Sequence, residues 1–192
     1  KQFIHFVSIL VGVLSGLLAA TMKNTTYFFQ QLVTTVNIEY QSLFYFTFPI
    51  IGILLTRVII RYGIKKPVNH GIPGVLYALS KRKGILPAYQ MFASLFTAPI
   101  TIGFGGSTGL EGPTISGGAG IASNVSRLLH LNQATRSLLI GCAAAAAISA
   151  IFKAPIAAII FSIEVFSLDL TLASLLPLLF ASISANLSLL FA

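Results

Sequence analysis

The stretch that decides the fold is GFGGSTGLEGPTISGGAG, residues 103–120, which holds eight glycines in eighteen positions. It lies between apolar stretches at 85–104 and 134–152, each close to the ~20 residues that a helix needs to cross a bilayer. At membrane depth every backbone N–H and C=O group needs a partner, so irregular backbone survives there only inside protein or along a cavity. The stretch therefore predicts a broken helix and a substrate site within the membrane.

The composition places the rest of the chain in the membrane as well. Of its 192 residues, 56% are hydrophobic and only 8% are charged, whereas a soluble domain carries about 25% charged residues. Further apolar stretches of spanning length occupy 3–20, 43–60 and 170–192. We therefore predict an all-α polytopic membrane protein with the lipid bilayer as a partner, which excludes an ordinary soluble enzyme.

The net charge of +8 would suit a nucleic-acid partner only if the basic residues shared one solvated face. Instead, seven of the twelve lie in two neighbouring loops: Arg57, Arg61, Lys65, Lys66, Lys81, Arg82 and Lys83. The positive-inside rule assigns such loops to the cytoplasm. We therefore expect no nucleic acid, a cytoplasmic N-terminus, and a polar external segment holding Asn24 and Glu39 after the first crossing.

Three breaks in the apolar pattern share one design, a proline at the start of a short helix. They are Gly71-Ile72-Pro73, Glu111-Gly112-Pro113 and Phe152-Lys153-Ala154-Pro155. Proline suits the first helical turn because the N–H group that it lacks would have no partner there. A helix that begins at mid-membrane directs free N–H groups and its positive dipole end at what lies ahead, so the expected ligand is an anion.

Glu111 is the first candidate for a functional side chain. It stands in a long uncharged region, and a carboxylate at membrane depth is costly enough that its default interpretation is functional. A carboxylate in an anion site competes with the anion and can leave once protonated, so Glu111 could serve as gate and proton carrier. The alternative is that Glu111 caps the N-terminus of its own helix.

Other motifs carry weaker hypotheses. Gly105-x-Ser107-x-Gly109 fits the nucleophile elbow of hydrolases, but that elbow needs a preceding strand, and none is predicted. An intramembrane hydrolase is therefore a minor alternative. His70 could line an ion path or be solvated, and the lone Cys142 is expected to be a small core residue. The three His residues and one Cys have no metal-ligand spacing, so we expect no metal and no cofactor.

Gly109-Leu110-Glu111-Gly112-Pro113 resembles the G-[KR]-E-G-P signature of the CLC chloride channels and chloride/proton antiporters, in which the glutamate is the external gate. Residues 152–164 resemble the family's F-N-A-P-L-A-G-x-x-F-x-x-E run, and residues 70–73 resemble its G-S-G-I-P signature. The resemblance implies chloride or a similar small anion as substrate, with protons as a second candidate, and no enzymatic activity. It implies a gate at Glu111 and an anion site at His70, Gly71, Ile72, Pro73, Gly109, Leu110, Gly112 and Pro113.

The resemblance also implies an organisation for the chain. CLC subunits have tilted, broken and re-entrant helices in two inverted repeats, and residues 1–192 resemble the first repeat. The second repeat, which would complete the anion site, is absent from this chain. The family likeness further implies a homodimer with an interface around 155–190, and a voltage-gated-type transporter integral to the plasma (inner) membrane.

Three departures from the family pattern affect the expected activity. His70 replaces a pore-lining serine, and Leu110 replaces a basic residue. Antiporters of the family carry an internal proton-transfer glutamate directly after the residue matching Glu164, where this chain has Val165. On a helix Glu164 points about 100° away from that position. We therefore expect a passive channel or weakly coupled transporter, with a tightly coupled antiporter or a non-transporting membrane scaffold as alternatives.

Overall fold

The computed structural model describes residues 2–35, 41–66, 68, 71–169 and 171–190. Within these ranges every regular element is a helix, so the all-α prediction is confirmed. The helices are α1 (Gln2–Thr35), α2 (Gln41–Val58), α3 (Ile72–Lys81), α4 (Ala88–Gly103), α5 (Glu111–Leu128), α6 (Gln133–Phe152), α7 (Pro155–Phe166) and α8 (Leu172–Leu190). A π-helical segment, Ile59–Ile64, continues α2.

Helices of spanning length account for four of the five predicted crossings. Among the described residues four helical stretches are long and apolar enough to cross a membrane: Gln2–Thr34, Thr47–Ile64, Gln133–Phe152 and Leu172–Leu189. The stretch at 85–104 is shorter than predicted, because α4 has 16 residues and reaches only about 24 Å at 1.5 Å per residue. Extended backbone at Pro87 delays its start, and left-handed backbone at Gly105, with φ +87°, follows its end.

The predicted polar external segment after the first crossing is helical at Asn24, because α1 runs through that residue to Thr35. The threonines around Asn24 are satisfied within the helix, since the hydroxyl of Thr25 donates to the carbonyl of Thr21 and that of Thr26 to the carbonyl of Met22. A polar run whose hydroxyls bond one turn back does not need to leave the helix. Glu39, the other residue of that prediction, lies outside the described residues.

The centre of the fold is α6, which packs against α1, α5, α7 and α8. Its alanine run, Ala143–Ala147, is fully buried, and so is Cys142, as expected for a small core residue. Small side chains let neighbouring helices approach closely, which is the usual basis of helix association in membranes. The alanine run therefore lets α6 serve as the packing axis for the helices that carry the candidate site.

Glycines produce the close contact between α1 and α8. A Cβ atom at Gly12 would lie 2.7 Å from the Cα of Ala181, and one at Gly16 would lie 2.8 Å from the Cα of Ala185. Real Cβ atoms do not approach backbone this closely, so both positions require glycine. The Gly12-x-x-x-Gly16 pattern is thus a packing motif for helices whose backbones nearly touch.

Candidate functional site

All three predicted breaks are helix boundaries in the structure. Helix α3 begins at Ile72 directly after Gly71, α5 begins at Glu111, and α7 begins at Pro155. Proline lies in the first turn of α3 and of α7. Helix α6 ends before Lys153, which adopts a left-handed conformation with φ +54°. The positions of proline and glycine in the sequence therefore predict where the irregular backbone of the site begins and ends.

The N-termini of α3 and α5 meet at two glycines. A Cβ atom at Gly112 would lie 3.3 Å from the Cα of Gly71, and one at Gly71 would lie 3.9 Å from the Cα of Gly112. Gly71 has φ +88° and ψ −174°, a backbone region that is essentially restricted to glycine. Two of the segments predicted to bind an anion, 71–73 and 109–113, are thus adjacent in space although about forty residues separate them in sequence.

This junction combines free amide groups with two positive dipole ends. The first hydrogen bond within α5 runs from the N–H of Thr114 to the carbonyl of Leu110 at 3.0 Å, so the amides of Glu111 and Gly112 precede the intrahelical ladder. Each helix N-terminus is equivalent to roughly half a positive charge. An arrangement of this kind attracts a small anion without any cationic side chain.

The carboxylate of Glu111 lies at the N-terminal end of α5, against Gly109. Glu111 occupies the first turn of α5 and is exposed in this chain. Its side chain turns back against Gly109, so closely that a Cβ atom at Gly109 would overlap its Oε2 atom. Helix α5 has no side-chain hydrogen bond from its N-cap residue. The carboxylate therefore lies within the positive field of its own helix N-terminus, and a side chain at 109 would displace it from its position in this structure.

Leu110 is anchored in the protein and does not project toward the junction as a charged side chain would. It is half-buried and packs against the apolar cluster formed by Leu18, Met22, Ala98 and Ile121. Its carbonyl also accepts a 2.6 Å hydrogen bond from the hydroxyl of Thr114. Sequence reasoning missed Thr114, although a threonine four residues after the loop is the spacing at which its hydroxyl reaches back to that carbonyl.

The other residues of the predicted anion site have varied surroundings. Ile72 packs against the main core cluster, Gly71 is half-buried, and Pro73 is exposed at the start of α3. Pro113 is half-buried in the first turn of α5. His70 lies outside the described residues. The α3 side of the junction therefore rests on backbone from Gly71 onward.

Glu164 and Val165, the positions compared with the family's internal proton-transfer glutamate, lie on α7, which packs against α6 and α8. Glu164 is exposed, whereas Val165 is half-buried and packs against the main core cluster. Successive residues on a helix point about 100° apart, and here the two side chains have different surroundings. A carboxylate at 164 is thus displaced from the position that Val165 occupies.

The hydrolase alternative has no nucleophile elbow in the described residues. Ser107 lies in irregular backbone after α4, so a helix precedes it where a nucleophile elbow requires a strand. In the ranges that the structure describes, no group of three His, Cys, Asp or Glu side chains could hold a metal ion.

The chain matches the sequence profile of one protein family, described as voltage gated chloride channel, over residues 51–192. It is 30% identical over 143 residues to a ClcB-like chloride channel protein of Ralstonia nicotianae, covering 72% of this chain and 33% of that protein. It is 27% identical over 168 residues to the H(+)/Cl(-) exchange transporter ClcA of Salmonella paratyphi A, covering 84% of this chain and 36% of that transporter. The chain thus spans about a third of the length of these relatives.

The fold is similar to the crystal structure of a CLC-type fluoride/proton antiporter, with a TM-score of 0.78 and 26% sequence identity. The alignment covers 99% of this chain and 47% of the antiporter chain. The matching profile covers most of the sequence, and this structural likeness agrees with it. The chain belongs to the voltage-gated chloride channel (CLC) family.

Proposed function

We propose that this chain supplies part of a pathway for small anions across a membrane, with chloride as the principal substrate. The observation that carries the proposal is the meeting of two helix N-termini at Gly71 and Gly112, one of which carries Glu111 in its first turn. The names of relatives as a chloride channel protein and a chloride exchange transporter support it. Free backbone amides favour a small anion over a cation because the backbone N–H groups at the two helix ends are donors.

In this proposal residues 1–192 are the first of two inverted repeats, and a second repeat completes the anion site. The alignment covers 99% of this chain but only 47% of the antiporter chain. This is the proportion expected if the chain is one of two repeats. Residues 71–73 and 109–113, together with His70, then form one side of the pathway. Glu111 is the gate, because its carboxylate and the anion compete for the same positive field.

Chloride efflux from liposomes tests the transport proposal. The whole protein that contains this chain is reconstituted in chloride-loaded vesicles, and valinomycin with K⁺ removes the opposing potential. We expect chloride to leave protein-containing vesicles much faster than protein-free vesicles. Without valinomycin, both kinds of vesicle should retain K⁺, because the protein passes anions only. A membrane scaffold without transport activity would give equal chloride efflux from both, which would refute the proposal.

Within this function we propose a passive or weakly proton-coupled mode. The support is Val165, whose apolar side chain packs against the core where antiporters of the family have a proton-transferring carboxylate. Valine has no titratable proton, and the neighbouring Glu164 is exposed on another side of α7. The second candidate is tight coupling, favoured by the names of the relatives as an H(+)/Cl(-) exchange transporter and a fluoride/proton antiporter.

Proton movement driven by a chloride gradient separates the two modes. With a pH electrode outside the vesicles, we expect an outward chloride gradient to drive little uphill proton movement. Proton movement in a fixed ratio to chloride would contradict weak coupling and would leave the transport proposal intact. Val165→Glu tests the role of this position by adding a carboxylate. We expect the variant to couple proton movement to chloride movement more strongly than wild type.

We also propose a homodimer integral to the plasma (inner) membrane, with residues around 155–190 at the interface. Exposed apolar side chains on this segment support it, including Ile156, Ile160 and Leu172, which are 72%, 59% and 78% exposed. Such side chains need either lipid or protein to cover them. A cysteine placed by Ile160→Cys should cross-link two subunits in native membranes, and failure to cross-link would contradict this interface.

A further inference from the structure

A basic cleft lies where the loop after α3 meets the C-terminal end of α5. It has a volume of about 480 Å³ and is lined by Lys81, Arg82, Lys83, Ile85, Pro87 and Arg127. These six residues are called the basic cleft below. Four of them are cationic, and they come from two segments separated by more than forty residues. The cleft therefore results from tertiary structure as well as from a run of basic sequence.

Hydrogen bonds fix the two walls of the basic cleft relative to each other. The hydroxyl of Ser123 donates to the carbonyl of Gly84 at 2.8 Å and accepts from the N–H of Leu86 at 2.9 Å. Ser123 is fully buried on α5, and Arg127 lies one turn further along the same helix face. The loop is thus held beside α5 at the level where Arg127 contributes its guanidinium.

A second tie comes from Arg136 at the start of α6. Its guanidinium donates to the carbonyl of Lys83 and to the carbonyl of Leu131, each at 3.1 Å. It therefore joins the loop after α3 to the loop after α5. This bond uses the backbone carbonyl of Lys83, and Lys83 is one of the residues that line the cleft.

The charge of the basic cleft has no carboxylate partner in the part of the chain that the structure describes. None of Glu111, Glu164 and Asp169 lines it. The C-terminal ends of α3 and α5 supply only partial negative charge there. Four cations beside one another repel unless an anion joins them, so the site favours an anionic occupant.

The surroundings of the basic cleft are those of a membrane interface. Ile85 and Pro87 supply apolar lining, and Leu128 beside Arg127 is 79% exposed. The guanidinium of Arg82 lies 5.5 Å from the ring centre of Tyr77, an exposed tyrosine of the kind found at the level of lipid headgroups. An occupant with an anionic head and an apolar tail would satisfy both kinds of lining, whereas a free phosphate ion would leave the apolar part uncovered.

We propose that the basic cleft binds the phosphate headgroup of an acidic phospholipid in the cytoplasmic leaflet. The loop after α3 is one of the two loops that the charge distribution assigns to the cytoplasm. Basic pockets beside transmembrane helices on that side are suited to anionic lipid headgroups. Binding there would hold the C-terminal ends of α3 and α5 together, and these are the two helices whose N-termini form the anion junction.

Lipid retention measured by native mass spectrometry tests this site. The whole protein in detergent is equilibrated with equal amounts of phosphatidylglycerol and phosphatidylcholine, and the bound ratio is measured for wild type and for Lys83→Gln/Arg127→Gln. We expect wild type to prefer phosphatidylglycerol and the double variant to lose about fivefold in preference for each charge removed. Arg127→Lys, which keeps the charge, should retain the preference.

The matched control is Arg57→Gln/Arg61→Gln, which removes two charges assigned to the same side of the membrane but outside the cleft. We expect this control to keep the wild-type ratio. An equal loss in both double variants would mean a non-specific charge effect and would overturn the site. An unchanged ratio in the cleft variant would also overturn it, as would displacement of phosphatidylglycerol by millimolar inorganic phosphate, which would identify a free-phosphate site.

Discussion

At the scale of single residues, two glycines determine whether the N-termini of α3 and α5 can meet. Gly71 adopts a backbone conformation with φ +88°, and Gly112 lies close enough that a Cβ atom on it would be 3.3 Å from the Cα of Gly71. A third glycine, Gly109, leaves space for the carboxylate of Glu111. Side chains at these positions would strain the backbone, separate the two helix ends, or displace the Glu111 carboxylate.

Gly71→Ala should therefore destabilise the protein. Alanine rarely adopts the backbone angles of Gly71, and such strain costs about 1–3 kcal/mol. Heating the detergent-solubilised protein and following loss of the monodisperse peak by size-exclusion chromatography gives the midpoint. We expect a midpoint several degrees below wild type.

The control for this substitution is Gly63→Ala. A Cβ atom at Gly63 would meet nothing within 4 Å, and its backbone is helical, so alanine there should leave the midpoint unchanged or raise it. Equal midpoints for Gly71→Ala and Gly63→Ala would show that the backbone at position 71 is not constrained as described.

Sequence signatures predict the helix starts at these residues but not the contacts between them. The sequence predicts that Glu111 begins a helix and that Gly71 precedes one, because glycine and proline have local conformational preferences. It does not predict that Gly71 touches Gly112, since that contact depends on how α3 and α5 pack. Likewise, nothing local to Leu110 indicates that it packs against the cluster around Met22, although this contact gives an apolar residue at that position a structural role.

At the scale of elements, close helix packing positions the site. Helix α6 is buried along its alanine run and contacts α5, whose N-terminus carries Glu111. Helix α8 is tied to α6 by Ser149, whose hydroxyl donates to the carbonyl of Ser182 and accepts from Asn186. The packing of α1 on α8 at Gly12 and Gly16 completes the support on the other side of α6.

Gly16→Ala should weaken this support. The added methyl group would lie 2.8 Å from both the Cα and the carbonyl oxygen of Ala185, so α1 and α8 would have to separate. Overpacking of this kind costs about 1–3 kcal/mol, and we expect a lower thermal midpoint by the same chromatographic assay. A Gly16→Ala protein as stable as Gly63→Ala would mean that the two helices can separate at little cost.

Helix boundaries were predictable from the sequence where glycine and proline interrupt an apolar stretch. They were harder to predict where no such residues mark the boundary. The starts of α3, α5 and α7 follow glycine and proline patterns, and the structure confirms them. The continuation of α1 past the apolar stretch at 3–20 is not evident from the sequence, because polar residues around Asn24 interrupt the apolar pattern. The threonine hydroxyls bond to the preceding turn and let the helix continue. The apolar stretch at 85–104 resembles a full crossing in composition, but its helix begins only after Pro87.

At the scale of the whole molecule, the chain is a set of helices that presents two N-termini at one point. The four helical stretches of spanning length provide the scaffold, and the shorter α3 and α5 carry the junction. The fold class and the family were predictable from composition and from three ordered signatures. The complete anion pathway was not predictable, because residues 1–192 cover only 47% of the antiporter chain that they resemble.

The gate is the central claim, and the pH dependence of chloride efflux tests it most directly. Efflux from reconstituted vesicles is measured at acidic and at neutral pH for wild type, Glu111→Gln and the carboxylate control Asp169→Asn. Asp169 is exposed in the turn after α7 and is absent from the junction. Protonation of Glu111 removes the charge that competes with chloride, so wild type and Asp169→Asn should be faster at acidic pH. Glu111→Gln should be at least as fast as wild type and equally fast at both pH values, whereas wild-type rate and pH dependence in Glu111→Gln would contradict the gate.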